Sequence, residues 1–123
     1  MRGPAQASGA RVRLPVRQRV AIASGSSRAA VAAGHAAVVY LVPPPDSGIT
    51  DPRLAAFLAQ IEDVTPAVFV YISTTGVYGD ACGALVDEFS PVTPSNDRSR
   101  RRVAAESAAQ PWCAARRVRC VIL

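Results

Sequence analysis

Val70-Tyr71-Ile72-Ser73-Thr74-Thr75-Gly76-Val77-Tyr78-Gly79-Asp80 joins an apolar, β-branched run to a turn dense in hydroxyls and glycine. Residues 67–72 form a continuous apolar stretch, the pattern of a strand buried on both faces of a parallel sheet. Such a strand delivers Ser73, Thr74 and Thr75 to its carboxyl end, where open α/β sheets bind their ligands. The stretch therefore predicts a fold and a site together.

Outward from this strand the same grammar repeats. Residues 37–42, Ala-Val-Val-Tyr-Leu-Val, read as a second buried strand that Pro43-Pro44-Pro45 stops, because proline cannot donate to a ladder. Asp46-Ser47-Gly48 reads as a turn, and Thr50 or Asp51 before Pro52 marks a helix start, the cap side chain accepting orphan amides. Leu54, Phe57, Leu58 and Ile61 then recur at helical spacing and give that helix one apolar face. Strand, helix, strand across residues 37–73 predicts a right-handed βαβ crossover. After a long polar loop over residues 75–94, Ser95, Asn96 or Asp97 can cap a helix over residues 98–110, which Pro111 should end or kink. Residues 118–123 form a third apolar strand, and the sequence stops inside it, a pattern expected of a partial sheet. The expected fold over residues 35–123 is α/β, a parallel sheet with flanking helices.

The length of 123 residues suits one domain, and half of the residues are hydrophobic. All 14 basic residues are arginine, which removes Schiff-base and phosphate-loop lysines from consideration. The net charge of +5 comes from the N-terminal part: residues 1–45 hold six arginines and no acid, residues 46–123 eight arginines and nine acids. Residues 1–34 read as a basic, poorly ordered arm or a degenerate βα unit, with a short strand at 19–23, a Ser24-Gly25-Ser26-Ser27 turn and an alanine-rich helix to residue 33. The arm's arginine-rich, acid-free character has some likeness to an organelle transit peptide. Cys82, Cys113 and Cys120 are odd in number and lack C-x-x-C spacing, so neither a disulfide framework nor a thiolate zinc site is expected, and the setting reads as reducing and cytoplasmic. No apolar run approaches bilayer length, so no membrane partner is expected.

Taken together, Tyr40-Leu41-Val42-Pro43-Pro44-Pro45, Asp51-Pro52-Arg53-Leu54, the stretch from Tyr71 to Asp80, Val86-Asp87-Glu88 and Pro91-x-x-Pro94 resemble the NAD-dependent epimerase/dehydratase family, in an atypical bacterial branch of the extended short-chain dehydrogenases. The resemblance covers residues 36–123. It implies a partial Rossmann-like sheet, NAD or NADP as cofactor, and a small substrate bearing a hydroxyl or carbonyl, such as a nucleotide sugar. It places Thr74 at the catalytic hydroxyl position, Ser73, Thr75, Tyr78 and Arg98 around the substrate, and Val42, Pro43 and Arg102 beside the cofactor. A hydroxyl suits Thr74's role because it donates and accepts at once. The bland alternative is that Ser73, Thr74 and Thr75 satisfy backbone groups at a strand end.

Two departures from the family pattern bear on activity. Counted back from Glu106, which resembles the family's later helix glutamate, the acid/base tyrosine and its lysine fall on Arg98 and Arg102, and a guanidinium offers no accessible proton equilibrium. A glycine-rich dinucleotide fingerprint is not found; Ala23-Ser24-Gly25-Ser26-Ser27 is its nearest substitute. The chain is therefore expected to be impaired or inactive as an enzyme. The alternatives are a non-catalytic anion- or nucleotide-binding module in which Arg98 and Arg102 hold the anion, or a fragment without independent function. Arg98, Arg102 and Glu106 share a helix face by their spacing, and an Arg102–Glu106 surface pair is the plain reading of that face. Nucleic-acid binding through Arg98, Arg100, Arg101 and Arg102 is disfavoured, because no aromatics interleave the charge. Asp87 and Glu88 are read as loop hydrogen-bonding groups, Tyr78's ring as packing under the loop, His35 as a cap or surface residue, and Trp112 as a packing anchor.

Overall fold

The computed structural model describes residues 37–123. The expected strand at 19–23, the turn and helix after it, and His35 lie outside the described residues. Three parallel strands, β1 (Ala37–Tyr40), β2 (Val68–Tyr71) and β3 (Arg119–Ile122), form one sheet in the order β1-β2-β3. Tyr40, Tyr71 and Ile122 stand in register across it. Helix α1 (Pro52–Gln60) links the first pair and helix α2 (Asp97–Arg116) precedes the third strand.

Each strand is shorter than its apolar run. Leu41 is already exposed and Val42 only half-buried as the chain enters the prolines. Hydrogen bonding continues past the strand ends, from Ile72 N to Tyr40 O at 3.4 Å and from Leu123 N to Tyr71 O at 3.0 Å. The expectation of strands buried on both faces is corrected. Val38, Tyr40, Phe69 and Tyr71 are buried, whereas their alternating neighbours are only half-covered by the described residues. Right-handed crossovers that step the same way across a sheet leave both helices on one face. Leu54 and Leu58 from α1, Ile61 at its C-terminal cap, and Ala105, Ala109 and Cys113 from α2 accordingly join Phe69 and Tyr71 in one core. Burying each large apolar side chain there contributes about 1.5–3 kcal/mol.

The helix ends follow local chemistry. Asp51 Oδ1 accepts from the amides of Arg53 and Leu54, both at 3.1 Å, and Pro52 occupies the first turn. Asn96 is the cap of α2, its Oδ1 accepting from Ser99 N at 2.9 Å. Of the two expected effects of Pro111, an end to the helix is overturned: α2 runs on to Arg116 and closes on Arg117 in the left-handed conformation. The amide that proline lacks would have bonded the carbonyl of Ser107, and both residues are exposed, so water can serve that carbonyl. The turn beyond is held by packing: Trp112 lies 5.9 Å from Phe69 ring to ring, Cys113 is buried, and Arg116 stacks 4.6 Å over Trp112. Trp112 is thus the anchor its sequence position suggested.

Candidate functional site

The polypeptide leaves β2, the central strand, at Tyr71 and presents Ser73 and Thr74 at the sheet's carboxyl end. Thr74 is extended, with φ of −155°, and caps a single 3-10 turn over Thr75–Tyr78 by accepting from Gly76 N at 3.3 Å. The backbone-satisfying role of that hydroxyl is therefore present, yet it uses only an acceptor lone pair and leaves the O–H to donate. Val77 is the turn's buried anchor. Gly76 lies so close to α2 that a Cβ there would come within 2.7 Å of Ser99 Oγ. Thr93 returns to bind the turn, its amide donating to Val77 O at 3.0 Å and its hydroxyl to Tyr78 O at 2.7 Å.

A cleft of about 370 Å³ opens beside this turn, and Ser73, Thr74, Thr75 and Tyr78 all line it. Glu88 and Glu106 line it too. Ser73 Oγ donates to Glu106 Oε1, a contact that ties the strand end to α2. Ser and Thr hydroxyls with two carboxylates can bind a polyhydroxylated or carbonyl-bearing molecule, since together they offer donors and acceptors in one concavity. Tyr78 borders the cleft rather than lying wholly beneath the loop. Asp87 behaves as read from the sequence, accepting from Phe89 N at 3.0 Å and from the Ser90 hydroxyl at 2.9 Å. Those two donors, the Ser90 hydroxyl foremost, hold its carboxyl below the usual range.

The basic residues of α2 go elsewhere. Arg98 is exposed, and with Arg101 and Arg102 it lines a second cleft of about 220 Å³ whose other wall is Pro43 to Asp46. The structure thus brings Arg98 together with Pro43 and Arg102, not with Thr74. Val42 packs against the core and does not border this cleft. The expected Arg102–Glu106 pair is replaced by two separate anchors. Arg102 Nη1 donates to Ile72 O at 2.8 Å and to Tyr71 Oη at 3.2 Å, while Glu106 takes the hydroxyl of Ser73. The reason is that Arg102 lies over the Tyr71 ring, at 5.8 Å, within reach of an unpaired carbonyl at the strand end.

Burial governs the protonation of the tyrosines between the clefts and the core. Desolvation, aided by the nearby Asp51 carboxylate, pushes Tyr40 up to about 12. Desolvation also raises Tyr71, against the opposing pull of Arg102. Neither phenol is a ready proton donor at neutral pH. The sequence reads Glu88 as a loop hydrogen-bonding group and Arg101 only as part of a disfavoured nucleic-acid face, whereas the structure sets each on the wall of a cleft. Arg101 sits in an Arg-Ser-Arg-Arg-Arg run that reads as a solvated face, and only its burial, 8 % exposed, distinguishes it.

No family model matches the chain, and no curated protein matches it. Among solved structures it is similar to the UDP-glucuronic acid 4-epimerase of Bacillus cereus, crystallised in complex with UDP-glucuronic acid and NAD. The TM-score is 0.51 at 20 % identity, over 56 % of this chain and 22 % of that one. The fold is Rossmann-like. The chain spans about a fifth of that epimerase's length.

A dinucleotide needs a cradle for its pyrophosphate, and the described residues do not supply one. Gly48, Gly79 and Gly83 have positive φ, but Gly48 lies midway along the β1–α1 connection, past the prolines and short of the Asp51 cap, and Gly79 and Gly83 lie in the loop between the 3-10 turn and α2, while Gly76 sits within that turn against Ser99, so none opens a helix directly after a strand. Among the described residues no group of His, Cys, Asp and Glu could hold a metal ion, and no helix is long and apolar enough to cross a membrane.

Proposed function

We propose that residues 37–123 are the substrate-facing part of an NAD(P)-dependent epimerase/dehydratase-like domain. They would hold a small molecule through its hydroxyl or carbonyl oxygen. The observation that carries this reading is the emergence of Ser73 and Thr74 from the carboxyl end of a central parallel strand into a cleft shared with Glu106. Thr74 would donate its free O–H to the substrate oxygen, with Thr75 and Tyr78 bordering the same molecule. Ser73 would act by fixing Glu106. A nucleotide sugar is the substrate class suggested by the epimerase neighbour, which binds UDP-glucuronic acid and NAD.

The proposal does not extend to turnover by this chain. At the positions that resemble the family's acid/base pair stand Arg98 and Arg102, which stay protonated, and Arg102 is already committed to Ile72 and Tyr71. A dinucleotide would meet Pro43 and Arg102 at the second cleft but no glycine cradle among the described residues. The three free cysteines accord with a reducing, cytoplasmic location.

Isothermal titration of the folded chain with UDP-glucuronic acid, NAD and NADP tests the reading. Saturable millimolar binding of the nucleotide sugar, weakened about tenfold in Thr74→Val with an unchanged thermal melt, is expected, one lost hydroxyl contact being worth about 1.4 kcal/mol. The reading fails if neither the nucleotide sugar nor a dinucleotide binds, or if the variant binds as tightly as the parent.

A further inference from the structure

Arg98 and Arg102, the pair whose spacing could hold an anion, are joined in the structure by a third arginine and a facing wall. Two walls make the second cleft: the Pro43 to Asp46 segment just after β1, and the first two turns of α2 with Arg98, Arg101 and Arg102. Three guanidinium groups against the single carboxylate of Asp46 leave the lining with a charge of about +2.

The three arginines differ in how far they are already engaged. Arg102 spends Nη1 on Ile72 O and Tyr71 Oη, which fixes its plane and leaves its other N–H groups available. Arg101 is the informative one. It is more than nine-tenths buried, and its Nη1 donates to Gly48 O at 2.7 Å, so the side chain is held in place by the loop that continues the cleft's wall. Its Nε is buried and has no hydrogen-bond partner among the described residues. A buried guanidinium with no carboxylate beside it is costly in a folded protein, and an oxyanion in the cleft that Arg101 lines would supply the missing counter-charge. Arg98 is exposed and makes no hydrogen bond or ion pair among the described residues, so it is free to close over a ligand from the solvent side. Arg100, on the outer face of the same helix, is paired with Asp97 at 2.8 Å and plays no part.

We propose that this cleft binds a dianionic phosphate, as inorganic phosphate or a phosphate monoester, with Arg101 and Arg102 as fixed donors and Arg98 as the closing one. Guanidinium forks match phosphate oxygens bidentately, and two pre-set forks lose little entropy on binding. The site stands apart from the Thr74 cleft and does not rest on the epimerase-like reading.

The test is a titration of the full chain with inorganic phosphate, followed by amide chemical shifts at constant ionic strength against chloride. Saturable shifts centred on residues 46–48 and 98–102 are expected at millimolar phosphate. Arg98→Ala should weaken binding about tenfold with an unchanged melting temperature. Arg101→Lys, which keeps the charge and loses the fork, should weaken it by a similar factor, whereas Arg100→Ala should leave it within about twofold. Absence of saturable shifts in the folded chain overturns the proposal. So does an Arg100→Ala loss equal to that of Arg98→Ala, since binding would then follow net charge alone. Thr74→Val is expected to leave the phosphate titration unchanged, which separates this outcome from that of the nucleotide-sugar experiment.

Discussion

Replacing Arg102 with Met should destabilise the chain by about 2–4 kcal/mol, and most of that cost should reside in one hydroxyl and one carbonyl left behind. Arg102 Nη1 lies 2.8 Å from Ile72 O and 3.2 Å from Tyr71 Oη, and its guanidinium carbon sits 5.8 Å from the Tyr71 ring centre. Hydrogen bonds from a charged donor contribute about 1.5–3 kcal/mol each, a cation–π contact about 0.5–1 kcal/mol, and release of a half-buried guanidinium to water offsets part of the sum. Methionine keeps the apolar stem, so the change isolates the polar loss. Tyr71 is fully buried, so in Arg102→Met its hydroxyl has lost its donor. Adding Tyr71→Phe removes that hydroxyl, and the double variant should recover about 1–2 kcal/mol relative to Arg102→Met alone. The assay is urea unfolding followed by Trp112 fluorescence, with the four members of the cycle compared at equal slope. A coupling energy of at least about 1 kcal/mol is expected. An Arg102→Met variant within about 0.5 kcal/mol of the parent, or strictly additive effects, would refute the claim that this arginine pins the strand end. Against a typical domain stability of about 5–15 kcal/mol, the predicted loss is large enough to measure.

Two further outcomes follow from the same geometry. Because the Tyr40 phenol is pushed from 10.0 to about 12, the unfolded chain sheds its proton first. The stabilisation is therefore whole below pH 10 and lost as pH rises towards 12, by up to about 2–3 kcal/mol, and unfolding midpoints across that window should fall more steeply than those of Tyr40→Phe. Gly79→Ala should cost more than about 1 kcal/mol, since φ is +68° and the new Cβ would meet Thr93 O at 2.2 Å; amide exchange at Thr93, which donates to Val77 O, should speed up, and unchanged exchange would count against the turn's dependence on that glycine.

The parallel sheet was legible because its signal is local: residues 37–42, 67–72 and 118–123 are apolar runs separated by proline, caps and helical spacing. The Asp51-Pro52 helix start was legible for the same reason, as a cap acts within one turn. The Thr74 cleft was legible in part, because a hydroxyl cluster at a strand's end lies where open sheets bind ligands, and Ser73, Thr74, Thr75 and Tyr78 do share one concavity.

Distances between segments far apart in sequence decided the rest. Whether Pro111 breaks a helix depends on the exposure of Ser107 and on how Trp112 and Cys113 pack against the sheet, which the residues around Pro111 do not encode locally. Arg98, Arg101 and Arg102 look alike in one basic run. Tertiary packing makes the first an exposed free cation, the second a buried side chain fixed by Gly48, and the third a clamp on Tyr71 and Ile72. The sequence by itself determined which segments become strands and helices, since backbone preference and apolar period act over a few residues. Only the tertiary structure decided which charges face which cleft, because burial and hydrogen-bond partners belong to neighbours in space rather than along the chain.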